Sequence, residues 1–212
     1  MARTVALAFV LFVLTAADAQ ATAFRVVVVP GLGFEDLPAL AERGAVGLLV
    51  PGSGPETSGL AARAALVRGQ VTNSLRGITT GPRLISFETS KTIPDGPAII
   101  VGLPSGPAQA NTRRYPVAVI GGGYEGLLTS ASTRITGLVS IVDIAPTALG
   151  REDGLGWTPD GNGAARVSAL DDRISANNQY RIPATFLVVV LVLVLTLAWP
   201  RAGLLGFGAV LG

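Results

Sequence analysis

Six apolar runs of four to six residues, each closed by Gly, Pro or a polar cluster, divide the first two-thirds of the chain. They are Phe24–Val29, Val46–Val50, Leu84–Phe87, Ala98–Leu103, Val117–Ile120 and Leu138–Val142. Mainly apolar runs of this length predict strands buried on both faces, since a half-buried strand would alternate. Between the first two runs, Leu37, Leu40 and Ala41 recur at helical spacing, which predicts a helix over Glu35–Arg43 with Gly44 as its stop. The Ala-rich segment Thr57–Val67 predicts a second helix capped by Thr57-Ser58, and Asp143–Leu149 a short third. Strands alternating with helices predict an α/β domain over residues 20–150, a mainly parallel sheet with flanking helices. Residues 150–163 read as an exposed connection. Val167, Leu170 and Ile174 then predict a polar, partly amphipathic stalk helix ending near Tyr180, so that 151–181 form linker and stalk.

Two longer apolar segments bracket this domain. Val5–Leu14 is uncharged, follows the basic start Met1-Ala2-Arg3, and precedes small residues at Ala17-Asp18-Ala19. These are the parts of a secretory signal peptide over residues 1–19, cut after Ala19 or else after Ala23. An uncleaved anchor is the other reading, although ten residues cover only about half of a ~30 Å bilayer core. Ile182–Trp199 carries no charge over eighteen residues, long enough for a transmembrane helix of roughly 27 Å. Tyr180-Arg181 and Trp199 with Arg201 flank it like interfacial anchors. With the signal peptide removed, residues 20–181 are expected outside the cell membrane and Arg201 in the cytoplasm. Ala202–Gly212 is again uncharged and holds Gly203, Gly206, Gly208 and Gly212. Residues 200–212 are therefore read as a cytoplasmic turn and the start of a second span in a longer, polytopic protein.

Composition narrows the chemistry. Hydrophobic residues make up 49% and charged ones only 14%, against about a quarter charged in soluble domains. Sixteen basic residues against fourteen acidic ones, with no block of like charge, argue against a nucleic-acid partner. The chain has no cysteine and no histidine. That removes thiolate metal sites, a cysteine nucleophile, the commonest general base and the commonest transition-metal ligand.

Three Gly-rich segments invite a ligand reading. Gly121-Gly122-Gly123-Tyr124-Glu125-Gly126 follows the Val117–Ile120 run as G-x-G-x-x-G. If a helix opens at its end, over Leu127–Gly137, Gly121, Gly123 and Gly126 would cradle a pyrophosphate. Asp143, 22 residues after Gly121, would be the ribose-binding acid. The alternative is a plain Gly-rich turn. Pro30-Gly31-Leu32-Gly33 also joins a strand to a helix but lacks the lysine of a phosphate loop. Gly52–Ser58 sets Thr57 at a helix start, as a candidate nucleophile or simply a cap.

Arg25–Leu37 together with Pro38–Gly47 resembles the first strand and helix of the alkaline phosphatase/sulfatase superfamily. Gly137–Leu149, with its Asp143-Ile-Ala-Pro-Thr147 core, resembles that superfamily's late strand and helix. Thr129–Arg134 resembles the version found in actinobacterial membrane proteins with phosphatase-like outer domains. The resemblance implies an α/β fold and, in intact members, a metal-assisted phosphoesterase. It places Pro30 where the family has a metal-binding Asp, and the nucleophile near Thr57. Asp143 falls on a position taken as structural, capping the helix that follows. Glu56, Glu88, Asp95 and Glu125 are too scattered to rebuild a two-metal site.

The expectation is therefore a degenerate, metal-free and cofactor-free relative acting as a membrane-anchored binding or scaffolding module of a bacterial cell envelope. Its expected partners are the lipid bilayer and an envelope protein or polysaccharide-related ligand. The alternatives are a residual phosphoesterase using Thr57 and a dinucleotide-binding oxidoreductase using Gly121–Gly126.

Overall fold

A computed structural model describes residues 24–52, 54, 56–69 and 85–198. The signal-peptide segment, Leu84 and the 200–212 segment lie outside the described residues. In chain order the strands are β1 (Arg25–Val28), β2 (Gly44–Val50), β3 (Glu56–Thr57), β4 (Phe87–Thr89), β5 (Ala98–Val101), β6 (Gln109–Ala110), β7 (Tyr115–Ile120), β8 (Gly126–Thr129), β9 (Leu138–Ser140) and β10 (Gly156–Thr158). The helices are α1 (Leu37–Ala41), α2 (Gly59–Arg68), α3 (Ile144–Ala148) and α4 (Gly163–Ala198), with short 3-10 turns at Phe34–Asp36 and Ile141–Asp143.

Eight strands form one sheet in the order β10-β8-β2-β7-β5-β1-β4, with β9 also paired to β2. β1 runs parallel to β4 and β5, and β2 parallel to β8 and β9. The expected α/β class holds, but the sheet is mixed. β7, near its middle, is antiparallel to both β2 and β5, and β10 is antiparallel to β8.

Four of the six apolar runs fall on β1, β2, β5 and β7, which are covered on both faces; of the other two, Leu84–Phe87 enters the largely exposed β4 only at Phe87, and Leu138–Val142 gives β9 and then the 3-10 turn from Ile141. On one face Val26, Val28, Leu49, Ile99 and Val119 pack with Ala62 and Leu66 of α2 and Ile144 of α3. On the other, Val27, Leu48, Ile100 and Ala118 pack with Leu37 and Leu40 of α1 and Val167 of α4. Neighbours in sequence thus alternate between two cores, which makes a three-layer sandwich.

Helix boundaries moved for local reasons. Ser58 caps α2, its Oγ accepting from the Ala61 N–H at 3.1 Å, and Gly69 closes it in the left-handed conformation. Thr57 is not a cap and belongs to β3. The helix expected over Glu35–Arg43 shrinks to a 3-10 turn plus the five residues of α1, with Pro38 in its first turn. Gly44 does not merely end that helix; it opens β2.

The largest correction concerns residues 151–181. The predicted helix from Val167 to Tyr180 is present and is mostly exposed beyond Asp171, but the residues before that are built into the domain and do not link it loosely. β10 extends the sheet beyond β8, and α4 starts inside the second core, where Val167 is fully buried and Ala164 and Leu170 pack beside it. From there α4 continues as one helix of 36 residues with Pro183 inside it. Pro183 has no N–H, so the helical bond to the Gln179 carbonyl cannot form where the polar half meets the apolar half. Phe186, Leu187, Leu191 and Leu195 are exposed, and the helix is long and apolar enough to cross a membrane.

Candidate functional site

The G-x-G-x-x-G segment joins two strands, β7 and β8. No helix opens at Leu127, so the strand–loop–helix arrangement of a dinucleotide cradle does not form here; the helix start that does approach Gly126 is that of α4, where a Cβ on Gly163 would lie 3.0 Å from the Gly126 oxygen. All three glycines have positive φ, which suits a tight reversal. At Gly126 the close backbone approach is used by the chain itself. A Cβ there would lie 2.3 Å from the Asp160 nitrogen and 2.5 Å from the Thr158 oxygen, where β10 passes over on its way to α4. Tyr124, within the loop, donates its hydroxyl to the Leu155 carbonyl at 2.7 Å and meets Phe24 edge-on at 5.7 Å. Burial pushes the Tyr124 phenol above its ordinary pKa.

Asp143 is buried, and both oxygens of its carboxylate accept bonds from the chain around it. Ser130 Oγ donates to Oδ2 and Ser132 Oγ to Oδ1, both at 2.5 Å, and the Ser140 N–H donates to Oδ2 at 3.2 Å. Ser130 Oγ in turn accepts from the Ser132 and Thr133 amides. Thr147 Oγ1 donates to the Asp143 carbonyl and accepts from the Leu155 N–H, both at 2.7 Å. The Thr129–Arg134 segment and the Asp-Ile-Ala-Pro-Thr helix are therefore one hydrogen-bonded unit, with Asp143 as its hub. Both Asp143 carboxylate oxygens are held within the chain, and at 5% exposure the residue is not presented to a ribose.

Thr57 is 8% exposed, with its Oγ1 packed against Gly52. The β3–β6 pair holds it opposite Gln109, and Asn111 Nδ2 fastens the Gly52 carbonyl at 2.7 Å. Among the described residues, no side-chain base lies within hydrogen-bond reach of Thr57, and no interaction joins it to Asp143. Nor do three carboxylates come together among them to hold a metal. The described residues do not fit the metal pair that the phosphatase resemblance implies.

Convergence occurs elsewhere. A cleft of about 460 Å³ opens at the carboxyl edge of β1 and β2, between the loop after β1, the segment leading into β7 and one face of α4. Open α/β sheets characteristically bind ligands outside the carboxyl ends of their strands. Leu32 and Phe34 supply an apolar wall, the segment 112–116 the second, and Asp171 and Asn178 part of the third; within that segment Arg114 reaches α4, while the Tyr115 side chain packs with the core on the other face of the sheet.

Arg114 ties the walls together. Its Nε donates to Asp171 Oδ1 at 2.5 Å, and its Nη2 to Ser175 Oγ at 2.7 Å and to the Asp171 carbonyl at 3.4 Å. The Arg114 side chain is only 7% exposed, so this is a nearly dry, charge-assisted clamp between domain and helix. Arg113 is exposed and donates once, to Gln109 Oε1 at 3.2 Å. Desolvation by burial raises the Tyr115 pKa, and the Arg113 charge lowers it by a smaller amount. The phenol thus stays protonated and able to donate at neutral pH.

Apart from Leu32, which belongs to the Pro30–Gly33 segment, none of these cleft residues is among the sequence-level candidates. The only local signal was the adjacent basic pair Arg113-Arg114 before a strand. No family model, curated protein or solved structure matches the chain.

Proposed function

We propose that this chain is a membrane-anchored, extracytoplasmic binding or scaffolding module of a bacterial cell envelope, built on a phosphatase-like α/β domain that has lost catalysis. One observation carries the reading: α4 begins as a core helix, with Val167 buried and Asp171 held by Arg114, and runs without interruption into the apolar segment. A domain attached in this way is positioned by the bilayer, not loosely tethered to it. The basic start and apolar run of residues 1–19 support export of the domain. The loss of catalysis is supported by Pro30 in place of a metal-binding Asp, by Thr57 lacking a base, and by the self-satisfied Asp143.

Two measurements on the full chain test this. Expressed in a bacterial host, it is expected in the carbonate-washed membrane fraction, with residues 24–180 open to protease from the outer side. Purified, it is expected to show no turnover of p-nitrophenyl phosphate with zinc or manganese. Recovery in the soluble fraction would contradict the anchor. Metal-dependent turnover abolished by Thr57→Ala would replace the binding reading with a phosphoesterase.

A further inference from the structure

The direction of α4 decides which side of the domain meets a membrane. At its start, a Cβ on Gly163 would lie 3.0 Å from the Gly126 oxygen and 3.3 Å from Val46, near the beginning of β2. Further along, Asp171 and Ser175 are held by Arg114, the neighbour of Tyr115, which pairs with Leu49 at the far end of β2. α4 therefore runs alongside β2 in the same direction and leaves the domain past the carboxyl edge of the parallel strands. From Ser175 to Ile182, the first residue of the apolar segment, the rise is about 10 Å. The headgroup layer on each side of a ~30 Å hydrocarbon core is roughly 5–8 Å thick. The loops that follow β1, β2, β4, β5 and β8 are on this edge and overhang that layer.

That edge carries exposed apolar tips and unpaired cations. α2 starts there, its Gly59 N–H bonded to the Gly106 carbonyl beyond β5. Leu60, in its first turn, is 81% exposed, more than any other large apolar side chain among the described residues. The loop after β8 is pinned to the same edge by the Ser130 and Ser132 hydroxyls on Asp143, and it exposes Arg134 and Ile135. Arg134 has φ 56°, the one positive value outside glycine among the described residues, so the loop holds it against its local preference. Lys91 follows β4, and Arg63, one turn into α2, tilts toward the start of that helix. All three cations are exposed, and none has an ion-pair partner among the described residues. With Arg113, bonded to the neutral Gln109, they face two exposed acids, Glu35 and Glu56. Asp36 is tied to the Gly33 amide, Asp143 is buried, Asp171 is paired, and Asp172 and Arg173, adjacent on α4, cancel. At the opposite edge the unpaired groups among the described residues are Arg68 against Glu42, Glu125 and Glu152. The free charge is thus positive toward the apolar segment and negative away from it, the polarity that an anionic lipid surface attracts.

We propose that the carboxyl edge of the sheet docks on the anionic surface of the bilayer that α4 enters. Leu60 and Ile135 dip among the headgroups, and Arg63, Lys91 and Arg134 face their phosphates. The proposal rests on the membrane-anchored reading above and deepens it by naming the surface of the domain that meets the lipid.

The chain has no cysteine, so a single thiol introduced into the full chain takes a fluorescent label at one place. Labels at Ala61→Cys and Glu152→Cys, on opposite edges, are read in nanodiscs of phosphatidylglycerol or phosphatidylcholine doped with a headgroup nitroxide quencher. Quenching is expected at Ala61→Cys and not at Glu152→Cys, and more strongly in phosphatidylglycerol. Arg63→Gln, Lys91→Gln and Arg134→Gln are each expected to lower the ratio of docked to detached domain about fivefold in phosphatidylglycerol. Leu60→Ser is expected to lower it in both lipids. Equal quenching of the two labels overturns the proposal. So does quenching at Ala61→Cys that neither the lipid charge nor the three cation substitutions alter. A label at Val190→Cys, read with an acyl-chain nitroxide, separates the two readings. Quenching there without quenching at Ala61→Cys means an anchored chain whose domain stands off the surface, and overturns this proposal alone. No quenching at Val190→Cys means that the chain has no anchor, and the membrane reading fails with it.

Discussion

Arg114 and Asp171 are 57 residues apart in sequence, yet their side chains meet at 2.5 Å, the arginine almost fully removed from water. This pair fixes α4 to the segment before β7 and so joins the sheet to the helix that carries the apolar span. The Asp171→Ala substitution would leave the Arg114 charge under cover with only Ser175 and a carbonyl as partners. Stripping one partner from such a pair costs about 2–4 kcal/mol. Urea unfolding of the micelle-bound chain, followed by Trp157 fluorescence, is expected to show that loss. A midpoint unchanged from wild type would mean the clamp contributes nothing.

The Asp143 hub predicts a purely structural phenotype. Asp143→Ala would leave the buried Ser130 hydroxyl and the partly covered Ser140 amide without their acceptor, while the exposed Ser132 hydroxyl could turn to water. A destabilisation of about 2–4 kcal/mol is expected from buried groups left unpaired. Asp143→Asn keeps the shape and should lose less. Equilibrium unfolding of the two variants side by side checks the order.

The two ends of the Gly loop should respond differently to the same methyl group. Gly123 has φ +80° and nothing within 4 Å of an added Cβ, so Gly123→Ala meets only backbone strain, about 1–2 kcal/mol. Gly126→Ala meets the same strain and also the backbone of Thr158 and Asp160. It is expected to cost several times more and to loosen β10. A dinucleotide cradle would instead show NADH binding in wild type and its loss at Gly123, and isothermal titration with NADH is expected to give no heat.

Tyr124 makes stability fall at alkaline pH. Its folded-state pKa is raised by burial, so the folded chain holds the phenolic proton more tightly than the unfolded one. That stability is fully present below the unfolded value of about 10 and is lost as pH rises through the folded value. Tyr115 acts in the same direction, mainly through burial. Thermal melts between pH 8 and 11 are expected to be flat up to about pH 10 and then to drop. Tyr124→Phe should lower stability at pH 8 by about 1 kcal/mol, through the lost bond to Leu155, and make the alkaline drop shallower.

The strands that could be read from sequence are those buried on both faces. Val26–Val28 and Ala98–Val101 are covered from either side, so their residues are continuously apolar whatever the direction of the neighbours. For the same reason the antiparallel course of β7 left no trace in its own residues. β8 escaped notice because only Leu127 and Leu128 interrupt a Gly- and Ser/Thr-rich stretch. β10 escaped because Gly156–Thr158 is an exposed edge strand. The cleft was invisible because its walls come from three distant segments, and the Arg114–Asp171 contact depends on α4 docking rather than on any local spacing. Ser58 and Gly69 sit at the helix ends where cap chemistry puts them, whereas Thr57, one residue earlier, was drawn into a strand.

The most direct test of a domain built onto its long apolar helix is amide hydrogen exchange across Val167–Ser175, with the full chain in lipid nanodiscs. The account predicts that these amides exchange about as slowly as those of Gly44–Val50 in β2. Asp171→Ala is predicted to speed them about tenfold or more while the β2 amides stay protected. Rapid exchange of Val167–Ser175 in the wild-type chain, unaffected by Asp171→Ala, would show a detached stalk and contradict the account.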